Sequence, residues 1–291
     1  MAETNSVFCC ENGNFTLTDT MKRSFDDNGF ILVRKLFSNE EVKHIENALT
    51  EGPFQDYTYG VADGEGGEAH MILWQHPGND VTGMVGRCEK VAGTCDMLLE
   101  GEVYHYHTKL MKKPAKIGGK HIWHQDYGYW YNYGNLFPNM MTVFIAVDKC
   151  TKENSCLQVL PGSHKCGRIE HVKIAAQQGA DMDRVAEIRK HCPLEYVEME
   201  PGDALFFHCN LLHCSSANTS GNRRWAFLCA YNRADNDPIK DHHHPHYTKL
   251  EKVPNSAVLE CTNLTDMTGK QFYGENLENI PGRRKIPRDE Q

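Results

Sequence analysis

The sequence lacks an apolar run long enough to cross a membrane, which argues against an integral membrane protein. It also lacks a basic excess: 31 Lys and Arg stand against 39 Asp and Glu, for a formal net charge of -8. A nucleic-acid or anionic-membrane binder needs a basic face, so neither partner is expected. The first residues show neither a basic n-region nor an apolar h-region, and the last are not an SKL-type address. A cytoplasmic protein is therefore expected. Residues 51–69 are glycine-rich but lack a phosphate-cradling pattern, and read as a surface loop rather than a substrate lid. Twelve cysteines occur with no C-x-x-C spacing, so they read as reduced thiols acting as small buried hydrophobes.

Hydrophobic residues make up 40% of the 291 positions, enough for a substantial core. Thr18 or Asp19 can cap a short helix that ends at Asn28-Gly29, and Ser38 with Glu41 forms a capping box for a second. The second half is different. Short β-forming runs recur at Met141–Val147, Cys156–Leu160, Tyr196–Met199, Ala204–Phe207 and Trp225–Tyr231, a spacing that points to a β-sandwich or barrel. One mainly β domain with flanking helices is expected, its core at about 15–235 and an irregular extension over 236–291.

The chemistry centres on Ile122-Trp123-His124-Gln125-Asp126-Tyr127. On an extended strand His124 and Asp126 point to one face. An imidazole and a carboxylate side by side are two corners of the facial triad of non-haem Fe(II) oxygenases. A distant histidine must supply the third, and His208 and His213 compete for it. Arg223 and Arg224 follow shortly after, where a guanidinium can clamp the far carboxylate of a dicarboxylic cosubstrate. His105 and His107 share a strand with Lys109, and one of them is expected to face the pocket. His242-His243-His244-Pro245-His246 reads as a solvated loop.

Several pieces occur together in a fixed order: His107-Thr108-Lys109, Trp123-His124-Gln125-Asp126, the run Glu153 to His164, Pro201-Gly202-Asp203 through His208, then Leu212-His213-Cys214-Ser215 and Arg224. With them the chain resembles the phytanoyl-CoA dioxygenase family of Fe(II)/2-oxoglutarate oxygenases. The resemblance implies a double-stranded β-helix (jelly-roll, cupin-like) core. It implies His124, Asp126 and His213 as iron ligands, Arg224 and Ser215 on the distal carboxylate of 2-oxoglutarate, and Lys109 and Phe144 as further cosubstrate contacts. His208 would then be structural. Lys109 stands where some members carry methionine, Phe144 where some carry tryptophan, and Ser155 replaces the usual turn glycine. The implied activity is a hydroxylase using Fe(II), 2-oxoglutarate and O2, with ascorbate as reductant, releasing succinate and CO2.

The aromatic run after Asp126 resembles that of the 2-aminoethylphosphonate-hydroxylating branch. Tyr127, Tyr129, Trp130 and Asn132 are therefore the expected contacts to a small zwitterionic substrate. An acyl-CoA 2-hydroxylase and a non-catalytic 2-oxoglutarate-binding sensor are the alternatives, and the oligomeric state, a homo-oligomer included, stays open.

Overall fold

Side-chain alternation along the β-forming runs divides the interior in two. On the strand Arg224–Arg233, Trp225, Phe227, Cys229 and Tyr231 pack into a core shared with helices, whereas Ala226 and Leu228 pack into a second core between sheets. The structure is a computed structural model that describes residues 5–10, 13, 15–273 and 282–290. A ten-stranded sheet runs in the order Val7–Cys9, Phe30–Arg34, Ala204–His208, Met140–Ala146, Arg224–Arg233, Val103–Lys113, Glu68–Gln75, Tyr59–Ala62 and Arg283–Lys285, with Gln271–Phe272 pairing Glu68–Gln75. A four-stranded sheet, Glu195–Val197, Leu157–Val159, His213–Ser215 and His121–His124, faces it to complete a jelly roll.

The helices Asp19–Asn28, Asn39–Glu51 and Val81–Arg87 cover the outer face of the large sheet with Met21, Phe25, Ile45, Leu49 and Val85. Their starts follow local chemistry. Thr18 accepts from the Met21 amide at 3.3 Å, and Ser38 and Glu41 make the reciprocal capping box at 3.1 and 2.7 Å. Gly29, at φ 81°, ends the first helix, and a side chain there would meet the His164 ring at 2.5 Å. No helix among the described residues is long and apolar enough to cross a membrane. All twelve cysteines are free thiols, most of them buried.

Residues 51–69 differ from the loop expectation: Pro53–Tyr57 is a 3-10 turn, and Tyr59–Ala62 pairs antiparallel with Glu68–Gln75. The glycines misled because Gly60 serves close approach rather than looping. A Cβ there would lie 2.1 Å from the Glu68 carboxyl carbon. Asp63 closes the turn, accepting from the Glu65 and Gly67 amides at 2.8 and 2.9 Å.

Beyond residue 235 the described chain is mostly irregular, and two short strands, Gln271–Phe272 and Arg283–Lys285, return it to the large sheet. Lys270 ties it down through a fully buried ion pair with Asp80 at 2.6 Å. Removing one partner strands the other charge in apolar surroundings. Lys270→Met is therefore expected to lower stability by about 3 kcal/mol, read as a shift in the urea midpoint at unchanged m-value.

Candidate active site

The small sheet sets two histidines side by side. His213 pairs in register with His124, the last residue of its strand, and the ring centroids lie 4.0 Å apart. The strand stops there, so Asp126 does not lie on the extended run that the sequence suggests. It opens the short helix Asp126–Trp130. Gln125 remains extended (φ -111°, ψ 137°), which keeps Asp126 on the face of His124. Asp126 Oδ1 lies 3.7 Å from His124 Nε2 and 3.9 Å from His213 Nε2. The three donor atoms fall within 4.8 Å of one another, and all three residues are buried. His208 stands apart: its Nδ1 accepts from the Asn210 amide at 3.0 Å and its ring packs against Phe25.

Hydrogen bonds fix which nitrogen is free. His124 Nδ1 lies 2.8 Å from the Ile122 carbonyl and His213 Nδ1 lies 2.9 Å from the Leu211 carbonyl. A carbonyl only accepts, so each Nδ1 carries the proton and each Nε2 presents a lone pair to the shared centre. Burial pushes both imidazoles below the ordinary histidine range, His124 strongly, and the Asp126 carboxylate partly offsets this for His213. Asp126 is itself held at both oxygens: Tyr129 donates to Oδ1 and Thr142 to Oδ2, each at 2.8 Å. Underneath, the Gln125 side chain donates to the Gly167 and Asn210 carbonyls and accepts from the Ile169 amide. Gly128 lets the helix lie on His171, whose ring a Cβ would meet at 2.1 Å. Partners of metal ligands of this kind typically contribute 10–100-fold in affinity. Thr142→Val, nearly isosteric, is expected to weaken metal binding by about 10-fold, measured by equilibrium dialysis.

A cavity of about 380 Å³ leads from His213 to Arg224, walled by Lys109, Phe144, Ser215 and Leu228. Arg224 is only 1% exposed. One terminal nitrogen donates to the Ser155 carbonyl at 3.0 Å, its guanidinium lies 5.6 Å from the Phe144 ring centre, and its buried Nε–H has no partner. An incompletely satisfied buried guanidinium fits a carboxylate guest. Ser155 reaches its pose at φ 77°, the left-handed region where glycine is the usual residue. The Lys109 ammonium shares the cavity; burial lowers its pKa while Asp126 opposes the shift.

A second cavity of about 730 Å³ meets the first at Lys109 and His121. Of the four expected substrate contacts, Tyr129 and Trp130 line it and Tyr127 and Asn132 do not. The aromatic run is helical, so residues three and four apart share a face with Asp126. Tyr127 turns away, its hydroxyl donating to the Leu136 and Asn135 carbonyls, and Asn132 is exposed on the next turn. Tyr133 takes the wall position instead.

His107 is the strand histidine that faces this cavity. A register shift between Ala230 and Tyr231 sends His105 to the other side, where it meets Thr108 at 2.6 Å and packs on Tyr231. The C-terminal segment adds His243, His244, Tyr273 and Arg283. The first part of the histidine run is therefore not a solvated loop: His244 is 5% exposed and stacks on His107 at 4.9 Å, whereas His246 is exposed. His243, His244, Tyr273 and Arg283 carry no local signal and become neighbours of His107 through the fold alone.

Two buried imidazoles and a carboxylate with converging lone pairs, mounted on a jelly roll, are the donor set of a non-haem Fe(II) oxygenase. Residues 25–226 match the family description Phytanoyl-CoA dioxygenase (PhyH). The chain belongs to that family and is a 2-oxoglutarate-dependent oxygenase of its hydroxylating kind. It is 27% identical over 253 residues to the L-proline trans-4-hydroxylase of Streptomyces griseoviridis, covering 80% of this chain and 93% of that protein. It is 25% identical over 230 residues to the ectoine dioxygenase of Sphingopyxis alaskensis, covering 73% and 75%. The crystal structure of EctD from S. alaskensis with 2-oxoglutarate and 5-hydroxyectoine superposes with TM-score 0.66 at 20% identity, over 84% of this chain and 92% of that one, a likeness of fold.

Proposed function

We propose that His124, Asp126 and His213 hold Fe(II), and that Arg224 and Ser215 hold the distal carboxylate of 2-oxoglutarate beside Lys109 and Phe144. The carrying observation is the buried Arg224 Nε–H without a partner at the far end of a cavity that begins at three converging donor atoms. A dicarboxylate fits both ends at once. The substrate is a small zwitterion of the 2-aminoethylphosphonate type. Tyr129, Trp130 and Tyr133 offer ring faces that attract an ammonium group. Arg283, whose Nε–H also lacks a partner, and Lys109 offer charge to the anionic head.

Iron and 2-oxoglutarate, once bound, supply the oxidation: O2 is consumed, 2-oxoglutarate leaves as succinate and CO2, and a substrate C–H becomes C–OH. The chain supplies position and dryness. The Ile122 and Leu211 carbonyls hold the two Nδ1 protons and so keep both Nε2 lone pairs on the centre. The Tyr129 and Thr142 hydroxyls hold the Asp126 carboxylate against rotation. Phe144, Phe207 and Leu228 wall out water, which strengthens every charge contact inside.

The test is a substrate panel of aminophosphonates, betaines, proline and acyl-CoAs, read by succinate release with Fe(II), 2-oxoglutarate, ascorbate and O2. Stimulation by 2-aminoethylphosphonate or its trimethyl analogue is expected. Stimulation by acyl-CoA alone would overturn the zwitterion reading. Absence of stimulated turnover across the panel, with 2-oxoglutarate still bound, would favour a sensor.

A further inference from the structure

Outside the iron triad, three imidazoles gather at the rim of the substrate cavity. His242, His243 and His244 place one ring nitrogen each within 4.8 Å of one another. Their ring centroids lie 3.8 Å apart for His242–His243 and 4.2 Å for His243–His244. The cluster is built into the fold rather than free on a loop: His242 stacks on Tyr133 at 3.7 Å, His243 packs on Tyr273 at 4.9 Å, and His244 packs on Tyr106 at 4.4 Å. His244 is more than nine-tenths buried, and its Nδ1, like the buried Nδ1 of His242, has no hydrogen-bond partner. A buried polar nitrogen left unpaired costs on the order of 1–3 kcal/mol, so a guest that binds these nitrogens offsets a standing penalty.

We infer that His242, His243 and His244 form a second metal site, separate from the triad, that takes a divalent transition ion of the Zn2+ class. Imidazole nitrogen suits Zn2+, Ni2+ and Cu2+, whereas the hard ions Mg2+ and Ca2+ require oxygen ligands that this cluster does not provide. Three protein ligands leave a coordination position open. His243 and His244 line the substrate cavity, so an anionic oxygen of a bound small molecule can reach that position. The site also joins two parts of the chain, because His242 rests on Tyr133 just beyond the helix that begins with Asp126.

The experiment measures Zn2+ bound per full-length chain by equilibrium dialysis and elemental analysis. The wild type is expected to bind two equivalents. His124→Ala, which disables the triad, is expected to retain one, and His242→Ala/His243→Ala is expected to retain one. A single equivalent in the wild type, or two in His242→Ala/His243→Ala, would overturn the proposal. A reading independent of variant folding uses the wild type. Zn2+ is expected to protect His242 and His243 from diethylpyrocarbonate when Fe(II) and 2-oxoglutarate already fill the triad site. Unchanged modification at both residues would equally overturn it.

Discussion

Asp126→Ala is expected to lower Fe(II) affinity by more than 100-fold and to take substrate-stimulated succinate release with it. Loss of an outer partner of a metal ligand costs 10–100-fold, so loss of a ligand that is itself held at both oxygens costs more. The substitution also leaves the Tyr129 and Thr142 hydroxyls without their acceptor. Each buried hydroxyl stranded in this way costs on the order of 1–3 kcal/mol. Asp126→Asn separates the two effects. Its amide preserves shape and one acceptor oxygen, so stability stays close to wild type, while the lost negative charge still weakens iron. Fe(II) titration beside thermal unfolding checks both. An Asp126→Ala protein that binds iron normally would remove Asp126 from the ligand set.

Arg224→Ala is the second large effect. Truncating one member of a buried, hydrogen-bonded charge pair costs about 2–5 kcal/mol, or roughly 30-fold to several thousand-fold in affinity. The expectation is therefore a KM for 2-oxoglutarate raised by at least about 100-fold, with kcat largely recovered at saturating cosubstrate. Arg224→Lys is not expected to rescue it, because a point charge on a flexible stem does not reproduce a planar two-pronged donor. Without cosubstrate the sign differs. The apo protein buries an incompletely paired guanidinium, so Arg224→Ala removes a desolvation cost while opening a void, and the two oppose. The split between KM and apo stability thus distinguishes a cosubstrate clamp from a merely structural arginine, which would move stability and leave KM unchanged.

Much of this was legible in the chain, for identifiable reasons. His124 and Asp126 are two residues apart, and one extended residue between them is enough to set both on one side. The β-forming runs of the second half announce a sheet-rich core, and capping chemistry at Thr18 and Ser38 announces the first helices. The third histidine was not legible from local signals, because His208 and His213 both follow apolar residues. The pairing of His213 with His124 across the small sheet separates them. The positions of Tyr127 and Asn132 off the cavity wall were not legible, because an aromatic run after a strand does not declare its period, and here it forms a helix followed by a 3-10 turn. His105 and His107 depend on a bulge at Tyr106, between them on their own strand, which only the pairing with Ala230 and Tyr231 reveals. Arg283, Tyr273 and the histidine run are remote in sequence from His107, Tyr129 and Trp130, with which they share the cavity. Only the strap anchored by Lys270 and Asp80 brings them to the cavity.

The most direct measurement adds 2-oxoglutarate to the Fe(II)-loaded protein without oxygen and follows the visible charge-transfer band of the chelated cosubstrate. One iron per chain is predicted, with a band that saturates in the wild type, fails to form in His213→Ala, and needs far more 2-oxoglutarate in Arg224→Ala. A band of normal strength and midpoint in both variants would contradict the assignment of these two residues to the centre.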